Sequence, residues 1–196
     1  MTLTIYGDKI SGNCLKVKWT ADRLGLSYTW IDIDVVKGEA KTPQFLKVNP
    51  SGQVPAVVFD DGRALSQSNA IIWRLAEGSD LIPADPFDRA VMLQWMFWEQ
   101  YTHEPAIAVR RFHKTYLNKP DSDIDPALFV KGSAALARME AALVGQDWFA
   151  GPALSLADIA LVAYTRVAHE GGFDLCAYLG VKAWVARVEA ALPITG

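Results

Sequence analysis

A small mixed α/β unit followed by an all-helical unit is the fold class this sequence predicts, and three observations lead to it. In residues 1–78, short β-branched and aromatic runs alternate with segments of helical period. Residues 79–86 carry Pro83 and Pro86 and read as a linker. From residue 87 to 196 the apolar-rich segments have helical period. At 196 residues the chain is long enough to bury a sizeable core, and its 51% hydrophobic content excludes a disordered polymer. A net charge of −3 with interspersed signs gives no basic footprint for nucleic acid.

The elements follow in order. Residues 3–6 form a first strand, and a loop over 7–12 leads to a helix over about 13–24. On that helix Cys14, Val17, Ala21 and Leu24 share one face, and Gly25 supplies the stop. Residues 28–34 alternate as a strand, and 37–48 are loosely helical. Asn49-Pro50-Ser51-Gly52 is a cluster of turn formers, and a β-branched run from Val54 to Phe59 follows it. Asp61-Gly62 is a hairpin turn, residues 63–65 are a short return strand, and Ser66-Gln67-Ser68 opens a helix that ends at Gly78. Beyond the linker, a long helical segment over 87–116 is interrupted by Pro105. Helices over 126–144, 159–164 and 181–192 follow, with Ser155 and Asp158 as a capping box before the second of these.

Pro55 stands at the head of a strand, where it has no N–H to give to a ladder. Cis X-Pro bonds make up only about 5–6% of such bonds in folded proteins, so trans is the default expectation. However, Gln53-Val54-Pro55 opening a strand, a glycine turn, then Gln67-Ser68 opening a helix resembles the glutathione-binding core of the cytosolic glutathione S-transferases. The β-α-β-α-β-β-α order resembles a thioredoxin-like fold. A thioredoxin-like domain joined to an all-α domain is the architecture the resemblance implies, with 1–78 binding glutathione and 87–196 forming the hydrophobic substrate site. It further implies a cis Val54-Pro55 bond, pairing of the Val54 backbone with glutathione, and a homodimer.

Such an enzyme has to keep the glutathione thiol ionised. An ordinary cysteine thiol has a pKa of about 8.5, and lowering it by about two units requires roughly 2.7 kcal/mol of preference for the anion. One hydrogen bond to a charged acceptor, about 1.5–3 kcal/mol, has that size. Ser11-Gly12-Asn13-Cys14-Leu15-Lys16-Val17 resembles the serine-type classes (phi, tau, zeta and theta), in which a serine precedes a basic residue and valine. The resemblance makes Ser11 the thiolate-stabilising donor, although a serine at that place also suits a helix cap. Asn13 and Cys14 are the alternatives. The loop looks like a Cys-x-x-Cys element whose first cysteine has become serine, which leaves Cys14 as the cysteine of the buried position.

By the same resemblance, Gln67 and Ser68 hold the γ-glutamyl end, Gln53, Val54 and Pro55 the peptide backbone, and Lys41 the glycine carboxylate. Ile10, His103, Ile107 and Arg110 are the candidates for an apolar, electrophilic second substrate. Glutathione is expected as co-substrate, with no metal, because His103, His113 and His169 lack ligands at zinc spacing. A cytoplasmic location is expected, since residues 1–7 do not form a secretory leader, no apolar run reaches membrane length, and Cys14 and Cys176 make no disulfide framework. The same scaffold supports glutathione-dependent reduction, dehalogenation or isomerisation, and also non-catalytic binding.

Overall fold

The computed structural model describes residues 3–194. Met1, Thr2, Thr195 and Gly196, the outermost residues of the two expected domains, lie outside the described residues. The chain divides into two compact units, the first taking the residues up to Ser79 together with those from Pro193 onward and the second Asp80–Leu192.

The first unit is a four-stranded sheet in the order β2-β1-β3-β4 with its helices. Strand β1 (Leu3–Gly7) runs parallel to β2 (Tyr28–Asp32) through the crossover helix α1 (Gly12–Arg23). It pairs antiparallel with β3 (Ala56–Val58), which in turn forms a hairpin with β4 (Ala64–Ser66). Gly62 makes that hairpin turn at φ +82°, a conformation open to glycine at little steric cost. Between β2 and β3 lie a 3-10 turn (Glu39–Lys41) and α2 (Pro43–Val48), whose first turn is capped by the Thr42 hydroxyl. Helix α3 (Ser68–Leu75) closes the unit. Leu3, Ile5, Val17, Ala21, Val57, Ile71 and Ile72 are fully buried. The period of two along β1 and the helical period along α1 and α3 therefore converge on one core. Strand β3 is shorter than the apolar run that predicts it, and β4 has the expected length shifted by one residue.

In the second unit, Asp80–Leu192, the interior is helical throughout. Leu81, inside the expected linker, is buried, and its carbonyl accepts the Leu156 N–H at 3.1 Å. Asp85 caps α4 (Pro86–Trp98) by accepting from two backbone N–H groups. A single π-helical turn (Glu99–His103) joins α4 to α5 (Glu104–Thr115), in whose first turn Pro105 stands. The interruption expected at Pro105 thus falls just upstream of it. Proline cannot donate to the preceding turn, and the helix widens there rather than breaking. Helices α6 (Pro126–Ala142), α7 (Leu156–Thr165) and α8 (Leu179–Ala191) complete the bundle. Among the described residues no helix is long and apolar enough to cross a membrane.

Every residue of α7 is buried, so it is the core helix of this unit. Asp158 in its first turn accepts four hydrogen bonds: from Phe149 N–H at 3.1 Å, and from Ser155 N–H, the Ser155 hydroxyl and Trp184 Nε1–H at 2.9 Å each. Burial pushes its carboxyl above the usual range, and the donors pull against that. Replacing it by alanine strands several buried donors together. Asp158→Ala is therefore expected to lower the unfolding free energy by about 3–5 kcal/mol, read from urea unfolding curves. A loss below about 1 kcal/mol would show that water or neighbours replace the carboxylate.

Candidate glutathione site

The strand register gathers three segments at one end of the sheet. Tyr6 pairs with Ala56, and Ala56 pairs with Ser66. The loop that leaves β1 after Gly7, the Val54-Pro55 segment that enters β3, and Gln67 immediately after β4 are therefore neighbours. The N-termini of α1 and α3 belong to the same end, since the Ser68 hydroxyl donates to Asn13 Oδ1 at 3.1 Å.

In the first segment, Ser11 precedes α1 with extended backbone angles, and its carbonyl accepts from the N–H groups of Cys14 and Leu15. Its side chain makes no capping bond to the helix. The hydroxyl instead hydrogen-bonds with the Cys14 thiol, whose sulfur also accepts the Asp8 N–H at 3.3 Å. Cys14 is fully buried, and burial pushes its thiol up to about 12. It is therefore un-ionised at neutral pH and a poor nucleophile. Asn13 Oδ1 accepts from Lys16 Nζ at 2.8 Å as well as from Ser68.

The second segment is held by Asn49, which sequence reasoning treated only as a turn former. Its amide donates to the Gln53 carbonyl at 2.6 Å, and its Oδ1 accepts from the Ser51 N–H and hydroxyl. Gln53 is thereby fixed directly before Val54. The Val54-Pro55 bond is cis. Among the described residues, the N–H and C=O of Val54 make no backbone hydrogen bond within the protein. An extended peptide could pair with them. Lys41 reaches this turn from outside, with Nζ 3.3 Å from the Ser51 carbonyl.

In the third segment, Gln67 has φ 73° and ψ 110°. For a residue with a β-carbon this is a strained conformation, costing about 1–3 kcal/mol, and such strain clusters at ligand-binding sites. Gln67 is exposed and its side chain makes no bond to the helix start. The first N–H groups of a helix have no partner within it, which makes the start of α3 a place for an anion.

The structure brings Ser11, Asn13, Gln53, Val54, Pro55, Gln67 and Ser68 to this end of the first unit, with Lys41 beside the 49–53 turn. Ile10 is in the same loop as Ser11 and is 54% exposed. Three of the residues expected to line an apolar substrate region need correction. His103 is fully buried with Nε2 2.9 Å from the Thr165 hydroxyl, and Ile107 is fully buried. Arg110 donates to the Gly171 carbonyl and to Asp121. Helical period placed them on one face, but that face packs inside the second unit. Lys16 was missed as a candidate, although it forms a polar stripe with Asn13 and Thr20 at helical spacing on α1. Among the described residues no group of three or more potential metal ligands is present.

This sheet order, the cis-proline turn and the helical second unit define the thioredoxin-like plus all-α class. Residues 10–77 match the model of the glutathione S-transferase N-terminal domain, and residues 100–191 that of the C-terminal domain. A glutathione S-transferase from Pseudomonas fluorescens superposes with a TM-score of 0.93 at 45% identity, over 96% of this chain and 94% of that one. One from Xanthobacter autotrophicus gives 0.92 at 40% identity, over 99% and 95%. Glutathione transferase F7 from Populus trichocarpa gives 0.85 at 30% identity, over 96% and 93%. The chain belongs to the glutathione S-transferase family, whose members bind glutathione.

The state of Cys14 has a direct check. Burial pushes its thiol far above the ordinary range, so a thiol reagent is expected to label the exposed Cys176 and spare Cys14 in native protein between pH 7 and about 9. Denatured protein should titrate both. Alkylation of Cys14 in the native chain within that range would restore it as a redox candidate.

Proposed function

We propose that this protein is a glutathione transferase that binds glutathione across the three gathered segments and directs its thiolate at a small apolar electrophile. The observation that carries the reading is the register linking Tyr6, Ala56 and Ser66, which groups Ser11, Val54 and Gln67-Ser68 at one end of the sheet. The Val54 backbone pairs with the cysteinyl unit. Gln67, Ser68 and the start of α3 hold the γ-glutamyl end, and Lys41 with Gln53 the glycyl end. These assignments match donors and acceptors to the ligand's charges: helix N–H groups to a carboxylate, the Gln67 side-chain oxygen to an ammonium, and a lysine to a second carboxylate.

Ser11 holds the sulfur as its anion. A hydroxyl has one donor and two acceptor positions. The Ser11 O–H is the donor directed to the sulfur of the ligand. The positive end of α1 adds to the preference for the anion. Exposed Ile10 in the same loop offers the electrophile an apolar contact. The buried, un-ionised Cys14 speaks against dithiol reduction as the principal activity.

Ser11→Ala is expected to lower kcat/KM about 10–100-fold while glutathione affinity changes little, because the lost bond matters most to the ionised sulfur. The rising limb of the pH–rate profile should move to higher pH, since the bound thiol then ionises less readily. Unchanged turnover, with Asn13→Ala inactive instead, would transfer the role to Asn13. Retention on immobilised glutathione separates the enzyme from a scaffold that has lost the ligand.

A homodimer fits the same reading. Phe87 and Phe97 on α4, with Tyr101 just beyond, are 75%, 71% and 89% exposed, an unusual concentration of aromatic surface for a lone chain. Sedimentation should give a dimer mass, and Phe97→Glu together with Tyr101→Glu a monomer. A monomeric native protein would remove the dimer from the proposal.

A further inference from the structure

Lys16 is fully buried, an expensive place for an ammonium group, which has donors and no acceptor. Its Nζ lies 2.8 Å from Asn13 Oδ1, and this decides the orientation of the Asn13 amide: the oxygen has to face the cation. The same oxygen takes the Ser68 hydroxyl at 3.1 Å, so both of its acceptor positions are filled. Turning the amide over would set its NH2 against the ammonium. The result is a polar tie, Lys16 to Asn13 to Ser68, from the first turns of α1 to the first residue of α3.

The tie sits at a particular place. Asn13 is two residues after Ser11, and Ser68 directly follows the strained Gln67. It therefore spans the two ends of the site assigned above, the thiol end and the γ-glutamyl end. Helices α1 and α3 also pack on each other, but apolar contact is non-directional and tolerates sliding. A hydrogen bond weakens steeply with distance and angle, so it sets a separation more sharply. Misplacing a reacting group by about 1 Å can cost about a hundredfold in rate, which makes a sharp setting worth having.

We propose that Lys16 and Asn13 are positioning residues that, through Ser68, set the distance between the thiol and γ-glutamyl ends, and so make the site selective for the length of the γ-glutamyl arm. The proposal rests on the glutathione reading above and deepens it. Lys16 acts from behind the site, through Asn13.

The test compares glutathione with β-aspartyl-cysteinyl-glycine, whose first arm is one methylene shorter. For each peptide the Kd is measured by calorimetry, and the pKa of the bound thiol by ultraviolet titration of the thiolate; neither needs an electrophile. The wild type should prefer glutathione in both measures. The double variant Lys16→Met/Asn13→Leu replaces the buried polar pair by apolar groups of similar size. It should narrow the preference about tenfold, the worth of one charge-assisted bond. Asn13→Asp still offers an oxygen to both donors and should keep the preference. Should the double variant not fold, Asn13→Ala takes its place with the same expectation, since it leaves room for water around the ammonium.

A preference unchanged in the cut variants overturns the proposal. So does weakening of both peptides by one common factor, which is what a merely structural tie would give. A wild type that binds neither peptide overturns the glutathione reading and this proposal together. A wild type that binds glutathione while its cut variants keep the full preference leaves the reading standing and removes the proposal alone.

Discussion

Strand β3 is three residues long, yet the site depends on where it lies. Antiparallel to both β1 and β4, it brings the end of one neighbour and the end of the other to its own beginning. Because pairing register in a sheet moves in whole residues, a slip of one would exchange Ala56 and Val57 between the two faces of the strand. Both are fully buried, so such a slip would put the larger valine in the space packed for alanine and the smaller alanine in the space packed for valine. Core burial and the alignment of the three binding segments are thus enforced by the same pairing.

Around that alignment the protein holds several groups in other than their ordinary arrangements. The Val54 backbone is absent from the ladder, Gln67 occupies a strained conformation, and the Ser11 side chain does not cap its helix. Each would be a small defect in a protein built only for stability. Their concentration at one end of one sheet is what a site looks like when its backbone is reserved for a ligand. The supports lie just behind: Asn49 behind Gln53, Cys14 behind Ser11, and Lys16 with Asn13 behind Ser68.

The helical unit follows a different rule. Its core helix α7 is apolar but for Asp158, which gathers four donors, and Tyr164 and Thr165 at its end, and the π-helical turn absorbs the irregularity that Pro105 forces. His103 and Arg110 satisfy internal partners there. A periodic face that mixes histidine, isoleucine and arginine reads from sequence as a cleft wall. Here it is interior, because Thr165 and the Gly171 carbonyl supply the polar partners that allow such residues to be buried.

Much of the architecture was legible in the chain itself. Periods of two and of helical spacing, glycine stops and proline positions marked the elements of both units, since these signals are local and act within a few residues. The Gln53 to Ser68 stretch pointed to the ligand for the same reason: its turn, strand, hairpin and helix start are consecutive. Tertiary structure decided which polar side chains face each other. Lys16 stood only as the basic residue of a motif, Asn49 as a turn former and His103 as a ligand contact, because burial and hydrogen-bond partners come from segments far apart in the chain. Ser68 meets Asn13 across 55 positions, and no local pattern carries that contact.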